Sequence, residues 1–146
     1  METQNLSSLN LSDDFQKVLP LDEAKRWSLE FRPPLEIVVI MSPLNVPNEK
    51  FMARFQWREY PQDAPSLKFI DPNSDSLNVP SAWPKLPGFR PNNLDACVNW
   101  TSEGFALHPE WRNDVRYRWD ERGNVLLKVL RYLQDELDLH FQGRFR

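Results

Sequence analysis

The chain has 146 residues, 40% hydrophobic and 12% aromatic, which supplies one sizeable core and leaves little room for a second domain. A formal charge of −3 with no basic patch argues against a nucleic-acid binder, and no apolar run reaches the roughly 18 residues that a membrane span needs. The polar start Met1-Glu2-Thr3-Gln4-Asn5 is unlike a secretory signal, and a lone cysteine, which cannot close an internal disulfide, fits a reducing cytoplasm.

Residues 1–11 are rich in Ser, Asn and Leu and are expected to be flexible, so the domain is placed at 12–146. Ser12-Asp13-Asp14 is a helix start, followed by Phe15, Val18 and Leu19 and limited by Pro20. The stretch Leu21 to Lys25 fits a helix or a connector. From Trp27 the period becomes two: Trp27, Leu29 and Phe31 alternate with Ser28, Glu30 and Arg32, as in a half-buried strand. Pro33-Pro34 breaks it, and the β-branched run Leu35 to Met41 predicts a central strand. Phe51, Ala53, Phe55 and Trp57 alternate as a third strand, and Leu67 and Phe69 flank Lys68 in a short fourth. Four strands with short links predict an antiparallel meander.

Residues 71–96 are rich in Pro, Asn and Asp, an irregular stretch long enough to be functional. Of the 13 prolines, nine lie between Pro43 and Pro91 and none follows Pro109, so the last third is free to form a long helix. Leu126, Val129, Leu130, Leu133 and Leu137 share one face of a helix from Val125 to Leu139, with Lys128, Arg131 and Asp135 turned away and Asn124 as N-cap. The predicted class is α+β, with helices on one face of a four-stranded meander and a long C-terminal core helix.

Two histidines and one cysteine, far apart, give no metal-ligand spacing, and no cofactor motif is present. Cys97 has a bland reading, a small buried hydrophobe, and a chemical one, a nucleophile. A hydrolase pairing Cys97 with His108 or His140 has no supporting local signature. Trp83, Trp100, Trp111 and Trp119 fit core packing or a partner surface.

The run Tyr60-Pro61-Gln62-Asp63-Ala64-Pro65-Ser66-Leu67-Lys68-Phe69 resembles the ubiquitin-conjugating enzymes, which follow their third strand with Tyr-Pro, a further proline and an aliphatic-x-Phe strand. Arg90-Pro91-Asn92 before Cys97 is similar to the family's His-Pro-Asn before its catalytic cysteine, and Leu107-His108-Pro109-Glu110-Trp111 to its later Trp/Pro loop. The order of these motifs spans roughly residues 12–140. Arg90 departs from the family's histidine, the spacing to Cys97 is short, and residues 71–88 and 110–122 look enlarged. The chain resembles a divergent member, of the sort found in bacterial ubiquitin-like conjugation operons, some of them antiviral.

The resemblance implies that Cys97 accepts a ubiquitin-like protein from an activating enzyme as a thioester and passes it to an amine of a target protein. Exchange between thiol and thioester needs no strong base and no cofactor. It also implies that the Asn92 side-chain amide stabilises the oxyanion of the second step. Asp114 and Asp120 are candidate proton acceptors for the amine. The expected geometry is an accessible sulfur in a shallow groove with the Asn92 amide beside it. The alternative on the same fold is a non-catalytic adaptor.

Overall fold

The computed structural model describes residues 2–146, with side chains from Leu6 onward. Helix α1 (Glu2–Val18) leads through a 3-10 turn (Asp22–Arg26) into four strands: β1 (Ser28–Arg32), β2 (Glu36–Met41), β3 (Phe51–Gln56) and β4 (Ser66–Ile70). These form one antiparallel sheet in the order β1-β2-β3-β4, with Leu29 opposite Val39, Val39 opposite Ala53 and Ala53 opposite Phe69. The meander and the α+β class stand as expected, because each strand carries its apolar residues at every second position.

One face of the sheet supplies Ile37, Val39, Met41, Phe51, Ala53, Phe55, Leu67 and Phe69 to the core. Against it lie Leu11, Phe15 and Val18 of α1 and the stripe Leu126, Val129, Leu130, Leu133 and Leu137 of α3 (Val125–His140). Asn124 caps α3 by accepting from the Leu127 N–H at 3.0 Å. Tyr60, buried beneath it, accepts from the Leu126 N–H at 2.9 Å and donates to the Asp14 carboxylate. The Asn124 amide reaches the Asp14 carbonyl at 3.2 Å, so α1 and the first turn of α3 are tied together.

The expectation for the N-terminal segment is corrected. Residues 2–11 belong to α1, so the domain does not begin at Ser12, which lies in mid-helix; Met1 lies outside the described residues. Leu11 is buried, and buried Ser7 accepts from the Tyr60 N–H at 3.0 Å. The connector Leu21–Lys25 becomes a 3-10 turn.

The stretch after β4 is structured by short elements. A 3-10 turn (Pro80–Ala82) precedes a hairpin of β5 (Phe89–Arg90) and β6 (Asp95–Ala96), and a six-residue helix α2 (Ser102–Leu107) follows. A chain of aromatic contacts, Phe69 to Trp83 at 4.8 Å, Trp83 to Phe89 at 6.2 Å, Phe89 to Trp100 at 6.2 Å and Trp100 to Tyr132 at 5.8 Å, joins this stretch to β4 and α3. Trp83 and Trp100 are thus core residues, while Trp111 and Trp119 are half-buried. Among the described residues, no helix is long and apolar enough to cross a membrane.

Candidate functional site

The hairpin that carries Cys97 is built by a tight turn. Pro91 opens a 3-10 turn (Pro91–Asn93), whose fixed φ suits that position, and Leu94 closes it in the left-handed region at φ 57°, its N–H bonded to the Pro91 carbonyl at 3.0 Å. Lys68 on β4 donates to the Leu94 carbonyl at 2.6 Å and so fixes the turn to the sheet. In the ladder Phe89 faces Ala96 and Arg90 faces Asp95. The pairing continues one step further, with the Cys97 N–H bonded to the Gly88 carbonyl at 2.8 Å.

Alternation along this ladder sorts the side chains. Phe89 and Ala96 are buried in the core cluster. The opposite face carries Arg90, Asp95 and Cys97, and Gly88 opposite Cys97 has no side chain to cover it. Gly88 has φ +81°, and a Cβ there would lie 3.0 Å from the Cys97 carbonyl oxygen. Cys97 is half-buried, with a free thiol. It is not sealed in the core.

The Arg90 guanidinium grips Asp95 through both carboxylate oxygens, Nε at 2.8 Å and Nη2 at 2.7 Å. Its pKa is raised, first by that hydrogen bond and then, against burial, by the charge of Asp95. Arg90 and Cys97 share one face of the hairpin.

Behind Cys97 the chain is pinned by α2. Thr101, fully buried, donates its hydroxyl to the Ala96 carbonyl at 2.7 Å and accepts from the Gly104 N–H at 3.0 Å as the N-cap of α2. Glu103 accepts from the Ser66 hydroxyl at 2.5 Å and from the Leu67 N–H at 3.1 Å. A Cβ at Gly104 would lie 1.9 Å from the Val98 carbonyl oxygen, so α2 rests directly on the backbone that follows the cysteine.

Asn92 lies in the exposed turn of the hairpin, and among the described residues its side chain makes no hydrogen bond; the ladder does not bring it to the Cys97 face. His108 is bonded to Glu110 at 3.0 Å and stacked on Trp111 at 4.4 Å, which itself stacks on Tyr117 at 5.6 Å. His140 closes α3 in its last turn. Neither histidine pairs with Cys97. Asp114 is held below the usual carboxylate range by the hydrogen bond from the Arg116 side chain and then by the Arg116 N–H, and Asp120 likewise by the Arg122 side chain and backbone. Both carboxylates are committed to neighbouring arginines and are weak proton acceptors.

A broad open groove lies beside the Pro33-Pro34 turn, lined by Trp57, Phe105 and Trp119 with Arg32, Arg58 and Arg118, and does not include Cys97. A second, between the β2–β3 loop and the C-terminal residues, does not include it either. Cys97 lies on the outward face of the hairpin and lines neither groove. Arg90 and Asp95 are what sequence reasoning passed over as site residues. The signal was present: an arginine and an aspartate flanking a proline-opened turn are cross-strand partners if the segment is a hairpin. Among the described residues, no group of three or more His, Cys, Asp or Glu side chains is placed to hold a metal ion. Comparison with family models, with curated proteins and with solved structures finds no match to this chain.

Proposed function

We propose that the protein is a conjugating enzyme of the ubiquitin-conjugating type, which accepts a ubiquitin-like protein as a thioester on Cys97 and transfers it to an amine of a target protein in the cytoplasm. The observation that carries this reading is the half-buried free thiol of Cys97 on the outer face of a hairpin whose turn is Arg90-Pro91-Asn92, downstream of a four-stranded meander. The thiol stands on a rigid element: Phe89 and Ala96 anchor the hairpin in the core and Thr101 locks the strand that precedes it. Rigid support of this kind holds a nucleophile in one geometry for an incoming carbonyl. The order of the Tyr60-Pro61, Arg90-Pro91-Asn92 and Cys97 motifs, and the motif resemblance to bacterial conjugation systems, add to it. The partners in this reading are the ubiquitin-like protein, its activating enzyme and the target.

The chemistry asks little of the site. Attack of the Cys97 thiolate on the incoming thioester carbonyl expels the donor thiolate, so one C–S bond replaces another. The experiment offers the purified protein a panel of ubiquitin-like proteins carrying C-terminal thioesters of a small thiol, which bypass the activating enzyme. The expected result is an adduct that dithiothreitol removes, absent in Cys97→Ala and dithiothreitol-resistant in Cys97→Ser. An unreactive Cys97 in the native protein, inert to these thioesters and to iodoacetamide, sinks the reading and leaves a non-catalytic adaptor on the same fold.

A further inference from the structure

Arg90 occupies the face that Cys97 occupies, whereas Asn92 sits in the exposed turn. Asp95 engages Nε and Nη2 of the guanidinium, and among the described residues Nη1 makes no hydrogen bond. A guanidinium in this state is pre-oriented, permanently charged and still has donors to offer. The backbone beneath the ion pair is anchored, because its strand neighbours Phe89 and Ala96 are buried and Lys68 holds the turn. About two-fifths of the Arg90 side chain remains exposed, on the hairpin face that also carries Cys97.

We propose that Arg90, oriented by Asp95, is the anion-binding residue of the Cys97 centre, its free donors directed at negative oxygen that forms or binds beside the sulfur. This deepens the thioester reading and, for its catalytic part, rests on it. In the discharge step the amine lone pair forms a C–N bond to the thioester carbonyl, and the carbonyl π pair moves onto oxygen. Collapse of that oxyanion breaks the C–S bond, with the pair leaving on the Cys97 sulfur and the amine proton going to water. The negative oxygen exists only in between, so a donor placed for it accelerates the step without tightening the resting complex. Asp95 is then a positioning residue.

Two measurements test the proposal. The first needs no conjugation partner: alkylation rates of Cys97 by anionic iodoacetate and neutral iodoacetamide. Arg90→Gln, which retains a hydrogen bond to Asp95 but no charge, is expected to lower the iodoacetate-to-iodoacetamide ratio about fivefold, the size of one unit-charge contact in water. Arg90→Lys retains most of the ratio, and 1 M salt narrows the difference. An unchanged ratio in a folded Arg90→Gln protein overturns the proposal whatever becomes of the conjugation reading. The second measures discharge of Cys97 thioester to free lysine, expected to slow about 10²-fold in Arg90→Gln and much less in Asn92→Ala. A discharge rate that ignores Arg90 but falls with Asn92→Ala also overturns it. Loss of anion selectivity in a protein that forms no thioester would sink the conjugating function while leaving the anion site in place.

Discussion

Helices α2 and α3 are held to the rest of the molecule by different balances of buried area and directed contact. α3 has 16 residues and docks chiefly through a stripe of branched aliphatic side chains, with hydrogen bonds from Trp27 to Gln134, from Arg26 to Asp138 and from Arg131 to Glu23 beside it. α2 has six residues, too few to be stable alone, and docks through named contacts: the Thr101 cap, the Glu103 carboxylate on Ser66 and Leu67, and the bare Cα of Gly104 against Val98. A helix fixed by area tolerates changes of shape. One fixed by a few directed contacts does not, and that is the helix placed behind the candidate nucleophile.

The sharpest way to break this contrast is a single methyl group. Gly104→Ala places a Cβ 1.9 Å from the Val98 carbonyl oxygen, and the obstacle is backbone that cannot swing aside. The expected loss is about 3 kcal/mol or more, the upper end for overpacking, measured by urea denaturation. Iodoacetamide labelling of Cys97 should change as well, because Val98 is the next residue. A Gly104→Ala protein of wild-type stability and labelling rate would show that α2 is not seated on that strand.

The difference between the helices also explains what the sequence revealed. α3, its cap and the four strands were legible because a long apolar period survives local noise. α1 was misread as loose over residues 2–11. Its buried positions include polar Ser7, while Leu6 and Leu9 are 58% and 62% exposed, so hydrophobicity points to the wrong face. The hairpin was hidden because its turn uses Leu94 at positive φ, where glycine or asparagine would have announced it. α2 has no period to read. Cys97 stood out as the only thiol, and Asn92 was singled out by resemblance alone. Arg90 became a candidate only when the ladder placed it on the face that carries Cys97.

A smaller effect probes how far α3 is held by area alone. Its first turn also leans on Tyr60, whose hydroxyl satisfies the Leu126 N–H and joins it to Asp14. Tyr60→Phe leaves that N–H without its partner and should cost about 1–3 kcal/mol. The same contact gives a pH signature. Burial first, then the hydrogen bond to Asp14, raise the Tyr60 pKa well above its ordinary value. The folded protein therefore keeps a proton that the unfolded chain releases near pH 10. Stability from this group is full below that pH and falls by about 1.4 kcal/mol per pH unit above it. Denaturation at pH 9, 10 and 11 should show the fall in wild type and a shallower one in Tyr60→Phe. Equal slopes would mean that the hydroxyl is not buried as a donor to Asp14.

The smallest effect is the counterpart of the first. Leu130 is fully buried at the centre of the α3 stripe, among side chains that can adjust. Leu130→Met keeps volume and hydrophobicity while changing shape, and should cost under about 1.5 kcal/mol, with an unchanged m-value in urea and wild-type labelling of Cys97. The comparison with Gly104→Ala is then between reshaping a large side chain at no change in volume and adding one methyl where backbone meets backbone. If Leu130→Met cost as much as Gly104→Ala, or altered the reactivity of Cys97, α3 would be as exactingly seated as α2. The site would then depend on the whole core rather than on the short elements around the hairpin.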